Sequence, residues 1–229
     1  VSMALLSDVT SEENRTKAMA MVGASIGLSF ALALILGPLI SDLGGLKGLF
    51  GFTALLAFLG ILICLWVVPT PVRGRFQRDA RPVSGQLSAV LRHADLVRLD
   101  VGVFFLHFVL TASFVVLPIA LAEGVGLNQK SHWAVYLPIL VVSFLVMLPF
   151  MILAEKKRRI KGVFLVAIGL LSLGLFLLSL WNSSLTEICI GLFIFFLAFN
   201  LLEAMLPSLV SKIAPAGSRG AAMGAYSSS

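Results

Sequence analysis

Six long apolar runs, each carrying at most two ionisable residues, constrain this chain most: 18–40, 49–68, 99–121, 133–153, 162–180 and 188–209. About twenty apolar residues is what a helix needs to cross the roughly 30 Å hydrocarbon core of a bilayer. Inside that core every backbone polar group must find its partner within the protein, and a helix does this within one segment. A transmembrane β-barrel would show alternating segments of about ten residues instead of continuous runs. Gly27, Gly37-Pro38, Pro118, Pro138, Pro149, Gly169 and Gly174 interrupt the runs, as spanning helices allow when neighbours satisfy the freed groups. The expected fold class is an all-α membrane protein.

Composition points the same way. Of 229 residues, 59% are apolar and 12% charged, too little polar surface for an ordinary soluble domain and far too much apolar content for a disordered chain. The net charge of +6 raises the possibility of a nucleic-acid partner, which needs cations gathered on one face. They are distributed otherwise. Arg15 and Lys17 precede the first run; Arg73, Arg75, Arg78, Arg81, Arg92 and Arg98 lie between the second and third. Lys156, Lys157, Arg158, Arg159 and Lys161 lie between the fourth and fifth, and Lys212 and Arg219 follow the sixth. Only Lys47 and Lys130 fall on the opposite side. By the positive-inside rule the loops carrying the other fifteen are cytoplasmic, and no nucleic-acid partner is expected. Cys64 and Cys189 lie within apolar runs and read as packing thiols rather than a disulfide.

The chain begins at Val1 and ends at Ser229 just after a helix-start signal, and is expected to be an internal segment of a longer protein. It divides into 1–68, a basic linker 69–98, and 99–229. In the linker, Leu87, Val90, Leu91 and Ala94 fall on one helical face behind a possible N-cap at Ser84. With arginines on both flanks this reads as a helix lying on the inner leaflet, with a solvated linker as the alternative. An internal repeat links the ends. At an offset of 204, Leu5, Ser7, Arg15, Ala18, Met19 and Ser25 match Leu209, Ser211, Arg219, Ala222, Met223 and Ser229. Thr10-Ser-Glu-Glu13 is a capping-box start in the first copy, and Pro215 is the expected first helical residue in the second. A parallel repeat with six helices per unit describes the halves of one large transporter class.

On these features the chain resembles the major facilitator superfamily over its whole length, from the end of helix 4 (1–6) through helices 5 to 10 to the start of helix 11 (219–229), six full helices of an expected twelve. Leu5-Leu-Ser-Asp8, Asn14-Arg-Thr-Lys-Ala-Met-Ala20, Phe199-Asn-Leu-Leu-Glu-Ala-Met-Leu-Pro-Ser208 and Gly220-Ala-Ala-Met-Gly-Ala-Tyr-Ser227 resemble the YajR-like branch of bacterial drug:proton antiporters. The resemblance implies a monomeric secondary transporter of the inner membrane that moves small amphipathic compounds against protons by alternating access. The helix 5 antiporter motif is partly kept. Gly37 and Pro38 are present, but the upstream glycines of the pattern fall on Ala24 and Ala33, and the closing pair stands at Gly44-Gly45 rather than at Ser41-Asp42. Gly23, Gly27, Ala31 and Ala33 still offer a small-residue surface for close helix approach, and Gly37-Pro38 is expected to bend the outer end.

Ionisable residues inside a span are costly and mark functional candidates. Glu203 stands in the run 188–209, with Asn200 one turn before it on nearly the same face. His107 lies at a comparable depth in the run 99–121, and Thr111 follows one turn later. The resemblance implies that both helices line one central cavity, with Glu203 exchanging a proton and His107 or Asn200 tuning it. The competing reading of Glu203 is a structural hydrogen bond to a neighbouring helix. For Glu155, which opens the basic loop before Lys156, the resemblance implies a cytoplasmic latch against the amino end of helix 5 near Arg15, where helix dipole and cation both favour a carboxylate. A solvated, orientation-setting charge run is the alternative. No enzyme constellation, phosphate-cradling loop, metal site or cofactor site is expected, since His93, His107 and His132 lie on separate segments. A membrane-embedded enzyme using Glu203 and His107, or a non-transporting scaffold or sensor, is the alternative to a transporter.

Overall fold

Long aliphatic runs set the helices. The structure, a computed structural model, describes residues 12–67, 85–157, 159–180, 184–215 and 218–229, without the side chains of 12–20, 22–24, 86 and 155. Its helices are α1 (Glu12–Trp66), α2 (Gln86–Arg92), α3 (Ala94–Ile119), α4 (Trp133–Lys156), α5 (Ile160–Leu180), α6 (Leu185–Ile213) and α7 (Arg219–Ser228). A π-turn at Ala120–Gly124 and a 3-10 turn at Gln129–Ser131 connect α3 to α4. Among the described residues there is no β-strand.

Five helical stretches are long and apolar enough to cross a membrane, one fewer than the sequence runs, because α1 contains two of them. Its backbone leaves helical geometry at Gly45, with φ 59° and ψ −157°, a conformation open to glycine at little cost. A Cβ placed on Gly48 would lie 3.4 Å from the carbonyl oxygen of Ile40, whereas eight residues of unbroken helix span about 12 Å. The chain therefore turns sharply at Gly45 and separates two arms, 12–44 and 46–66, each long enough for one crossing. The helix runs on through Gly37-Pro38, where the bend was expected, and turns seven residues later. Nothing packs within 4 Å of a Cβ placed on Gly27, so Gly27 forms no close approach among the described residues. Cys64 on this arm is exposed and Cys189 half-buried, both free thiols, which corrects the expectation that both are buried.

The core sits around α6, which touches α1, α3, α4, α5 and α7. Of its most apolar stretch 56% is buried, against 17% or less in every other span. Ser184 starts this helix by accepting the Glu187 backbone N–H at 3.3 Å, and Glu187 supplies the acidic first turn of a capping box. Glycine brings α5 and α6 into backbone contact: a Cβ on Gly174 would meet the backbone nitrogen of Phe195 at 2.8 Å, and one on Gly191 the side chain of Leu178 at 2.8 Å. Such small-residue seams hold helices together where lipid removes the hydrophobic drive between them.

A short helix, α2, stands where the interfacial helix was expected. Gly85 in left-handed conformation precedes α2, and His93 breaks the helix before Ala94 begins α3. Val90 is buried against the core while Leu87 and Leu91 remain exposed, so the expected four-residue stripe is divided. Ser84, the expected cap, and Thr10 lie outside the described residues. Pro215 precedes α7 rather than opening it, its carbonyl accepting the Ser218 N–H at 3.1 Å. The missing proline N–H terminates α6 here instead of starting the next helix.

At the end of the molecule opposite the basic loops, the Lys130 ammonium donates to Asp42 at 2.8 Å, tying the first arm of α1 to the turn before α4.

Candidate functional site

Two ionisable side chains meet inside the helical assembly. His107 projects from α3 and Glu203 from α6, with Nε2 and Oε2 3.7 Å apart, just beyond direct hydrogen-bond reach of about 3.2 Å. The His107 side chain is 52% exposed and that of Glu203 33%, so the imidazole is the more open partner. The contacting oxygen Oε2 is itself buried with no hydrogen-bond partner among the described residues.

The backbone of α3 sets the tautomer. Nδ1 of His107 lies 3.1 Å from the Val103 carbonyl oxygen; a carbonyl only accepts, so Nδ1 carries the hydrogen and donates. Nε2 is thereby turned to Glu203. With Nδ1 committed, a proton shared by the pair would have two places: on the carboxyl, facing a neutral imidazole, or on Nε2, facing a carboxylate. Both arrangements are neutral overall, and loss of that proton leaves one net negative charge. Phe199 fixes the ring from the side, edge-on at a centroid distance of 6.0 Å, and Phe195 stacks on Phe199 at 6.3 Å.

Pro207 adds a second polar element. It lies within α6 four residues after Glu203, so the Glu203 carbonyl receives no i+4 N–H from the helix. Carboxyl and carbonyl of one residue thus make a second polar position on the helix, one turn beyond Asn200.

The remaining expected residues are placed differently. Asn200 turns to α4, where its Nδ2 donates to Ser143 Oγ at 3.1 Å, and Ser143 donates onward to the Leu140 carbonyl at 2.9 Å. Ser143 is fully buried, so Asn200 clasps α6 to α4 and does not join the His107–Glu203 contact. Thr111 is exposed one turn beyond His107. Gly37 and Pro38 lie in α1, away from this contact, and the side chains of Glu155 and Arg15 lie outside the described residues.

Sequence reasoning passed over Ser143, Asp100 and Tyr226. Asp100 and Tyr226 are each 8% exposed, and the Tyr226 hydroxyl is buried without a hydrogen-bond partner among the described residues. Helix α7 packs against both α3 and α6, which places it beside the site. A signal was present for Asp100, since it precedes His107 by two helical turns and shares its face. Among the described residues no group of three His, Cys, Asp or Glu converges on a metal position.

The chain is 45% identical over 229 residues to the inner membrane transport protein YajR of Escherichia coli (strain K12), covering 99% of this chain and 50% of that protein. It is 32% identical over 231 residues to an uncharacterized transporter of Buchnera aphidicola subsp. Acyrthosiphon pisum, covering all of this chain and 59% of the relative. A second Buchnera transporter, from subsp. Baizongia pistaciae, is 30% identical over 233 residues, again with 59% of the relative covered. The chain thus spans between half and three-fifths of the length of these relatives, all named as transport proteins rather than enzymes. Residues 1–229 match the Major Facilitator Superfamily, and the chain belongs to that family.

Proposed function

We propose that the full-length protein is a proton-coupled secondary transporter that exports small amphipathic compounds across the inner membrane by alternating access, with its basic loops in the cytoplasm. The observation that carries this reading is the His107–Glu203 contact at 3.7 Å. A proton carrier must load and unload inside the membrane without a large charge penalty. The loaded pair is neutral in either arrangement, and the exposure of His107 gives the proton a way in and out. Phe199, half-buried beside His107, provides an apolar wall suited to loosely specified substrates. Rocking of the two halves about the midplane cavity would expose the pair to each side in turn. Glu155 and Arg15 are the latch of the same reading, biasing the cycle at the cytoplasmic face, and the complete protein acts as a monomer.

The test is proton flux and drug efflux in proteoliposomes containing the complete gene product. Glu203→Gln keeps the side-chain shape but cannot exchange the proton. Proton-linked substrate movement is expected to fall on the order of a hundredfold, with membrane insertion unchanged. Movement at the wild-type rate would exclude the carrier role.

A further inference from the structure

A groove of about 380 Å³ lies between α4 and α5 near their basic ends, with α6 as its floor. Leu153 of α4, Val166 and Leu170 of α5 and Leu197 of α6 line it, and Lys157 and Arg159 stand at its mouth. From these observations we infer that the groove is a binding site for an anionic phospholipid, one acyl chain lying in the apolar channel and the phosphate held between Lys157 and Arg159.

Three features select this occupant. The first is charge. Both cations are exposed, neither is paired with a carboxylate among the described residues, and no acidic residue lines the groove. Lys156 and Lys161 reinforce the same sign beside them. A pocket of this kind between spanning helices, with cations at the headgroup level, attracts acidic lipid headgroups. The second is depth. On α5 the lining runs from Gly162 to Leu170, eight residues or about 12 Å along the axis, most of one leaflet of a roughly 30 Å hydrocarbon core. The third is an opening kept by glycine. A Cβ on Gly162 would meet nothing within 4 Å, so the groove is unobstructed directly beneath Arg159. An amphiphile with an anionic head and a chain of leaflet length satisfies all three. A free phosphate would leave the apolar channel empty, and a neutral lipid would leave the cations unanswered. The inference stands apart from the transport reading, because it concerns the groove between α4 and α5 and uses none of the residues of the His107–Glu203 site.

The full-length protein, delipidated in detergent and offered equimolar phosphatidylglycerol and phosphatidylethanolamine, tests it by native mass spectrometry of retained lipid. The wild type is expected to retain phosphatidylglycerol with a preference on the order of tenfold. Lys157→Gln combined with Arg159→Gln is expected to bring the two lipids to parity. Gly162→Leu, whose side chain enters open space and leaves the fold intact, is expected to reduce retention of both. Millimolar inorganic phosphate is expected neither to displace the lipid nor to raise thermal stability as the lipid does. Parity in the wild type, an undiminished preference in the double variant, undiminished retention in Gly162→Leu, or a phosphate effect equal to that of the lipid would each overturn the inference. Should the double variant fail to insert, the wild-type preference and Gly162→Leu decide it.

Discussion

Whether His107 serves Glu203 as a proton partner or only as packing is decided at a single nitrogen. The ring meets Phe199 edge-on, an interaction phenylalanine reproduces, while Nε2 faces Glu203, an interaction it cannot. His107→Phe therefore separates the two roles. Thermal stability is expected to stay within about 1 kcal/mol of the wild type, while proton-linked transport falls at least about tenfold. Equal transport rates in proteoliposomes would assign His107 to packing alone. That this pair can be read from the sequence has a physical cause. Ionisable residues inside apolar runs are few, and depth along a helix follows from residue count. The partner of Asn200 could not be read in the same way. Ser143 is one hydroxyl in an apolar helix, and a serine there satisfies its own hydrogen through a local carbonyl whether or not another helix approaches. Only the packing of α4 on α6 distinguishes it.

Between elements, the seam of α5 and α6 is the most sensitive contact in the assembly. Gly174 lies against the backbone of Phe195, and backbone cannot turn aside as a side chain can. Gly174→Ala is expected to force the helices apart at a cost of about 1–3 kcal/mol, seen as a lowered unfolding temperature. Gly191→Ala meets the movable Leu178 side chain and is expected to cost less. Gly169→Ala, with open space around it, is expected to change stability by no more than about 0.5 kcal/mol. Equal effects at the three positions would show that the seam is not set by backbone approach. Apolar length placed these helices in the sequence, but which glycine faces a neighbour depends on rotation about each helix axis. The same limit applies to the turn in α1. Both Gly37-Pro38 and Gly44-Gly45 are permitted breaking points, and the positive φ adopted by Gly45 is a property of the folded chain.

At the scale of the molecule, Lys130 and Asp42 join segments 88 residues apart. Their side chains are 71% and 54% exposed, so the pair is worth no more than about 1 kcal/mol and is screened by salt. Asp42→Lys is expected to lower thermal stability by about that amount at low ionic strength and by less in about 1 M salt. Adding Lys130→Asp is expected to restore it. A loss that persists in high salt would point to a role other than ion pairing.

The central position of α6 also bears on how the protein is made. This helix carries Asn200 and Glu203, and a charged residue at mid-span costs about 2.5–3.5 kcal/mol on insertion. Yet α3 and α4 precede it in the chain and enter the bilayer before it. When α6 emerges, the imidazole that faces its carboxyl and the hydroxyl that receives its amide are already at the membrane. The order of synthesis supplies the least apolar of the five candidate spans with its partners in advance, and the helices that surround it form a receptor for its insertion.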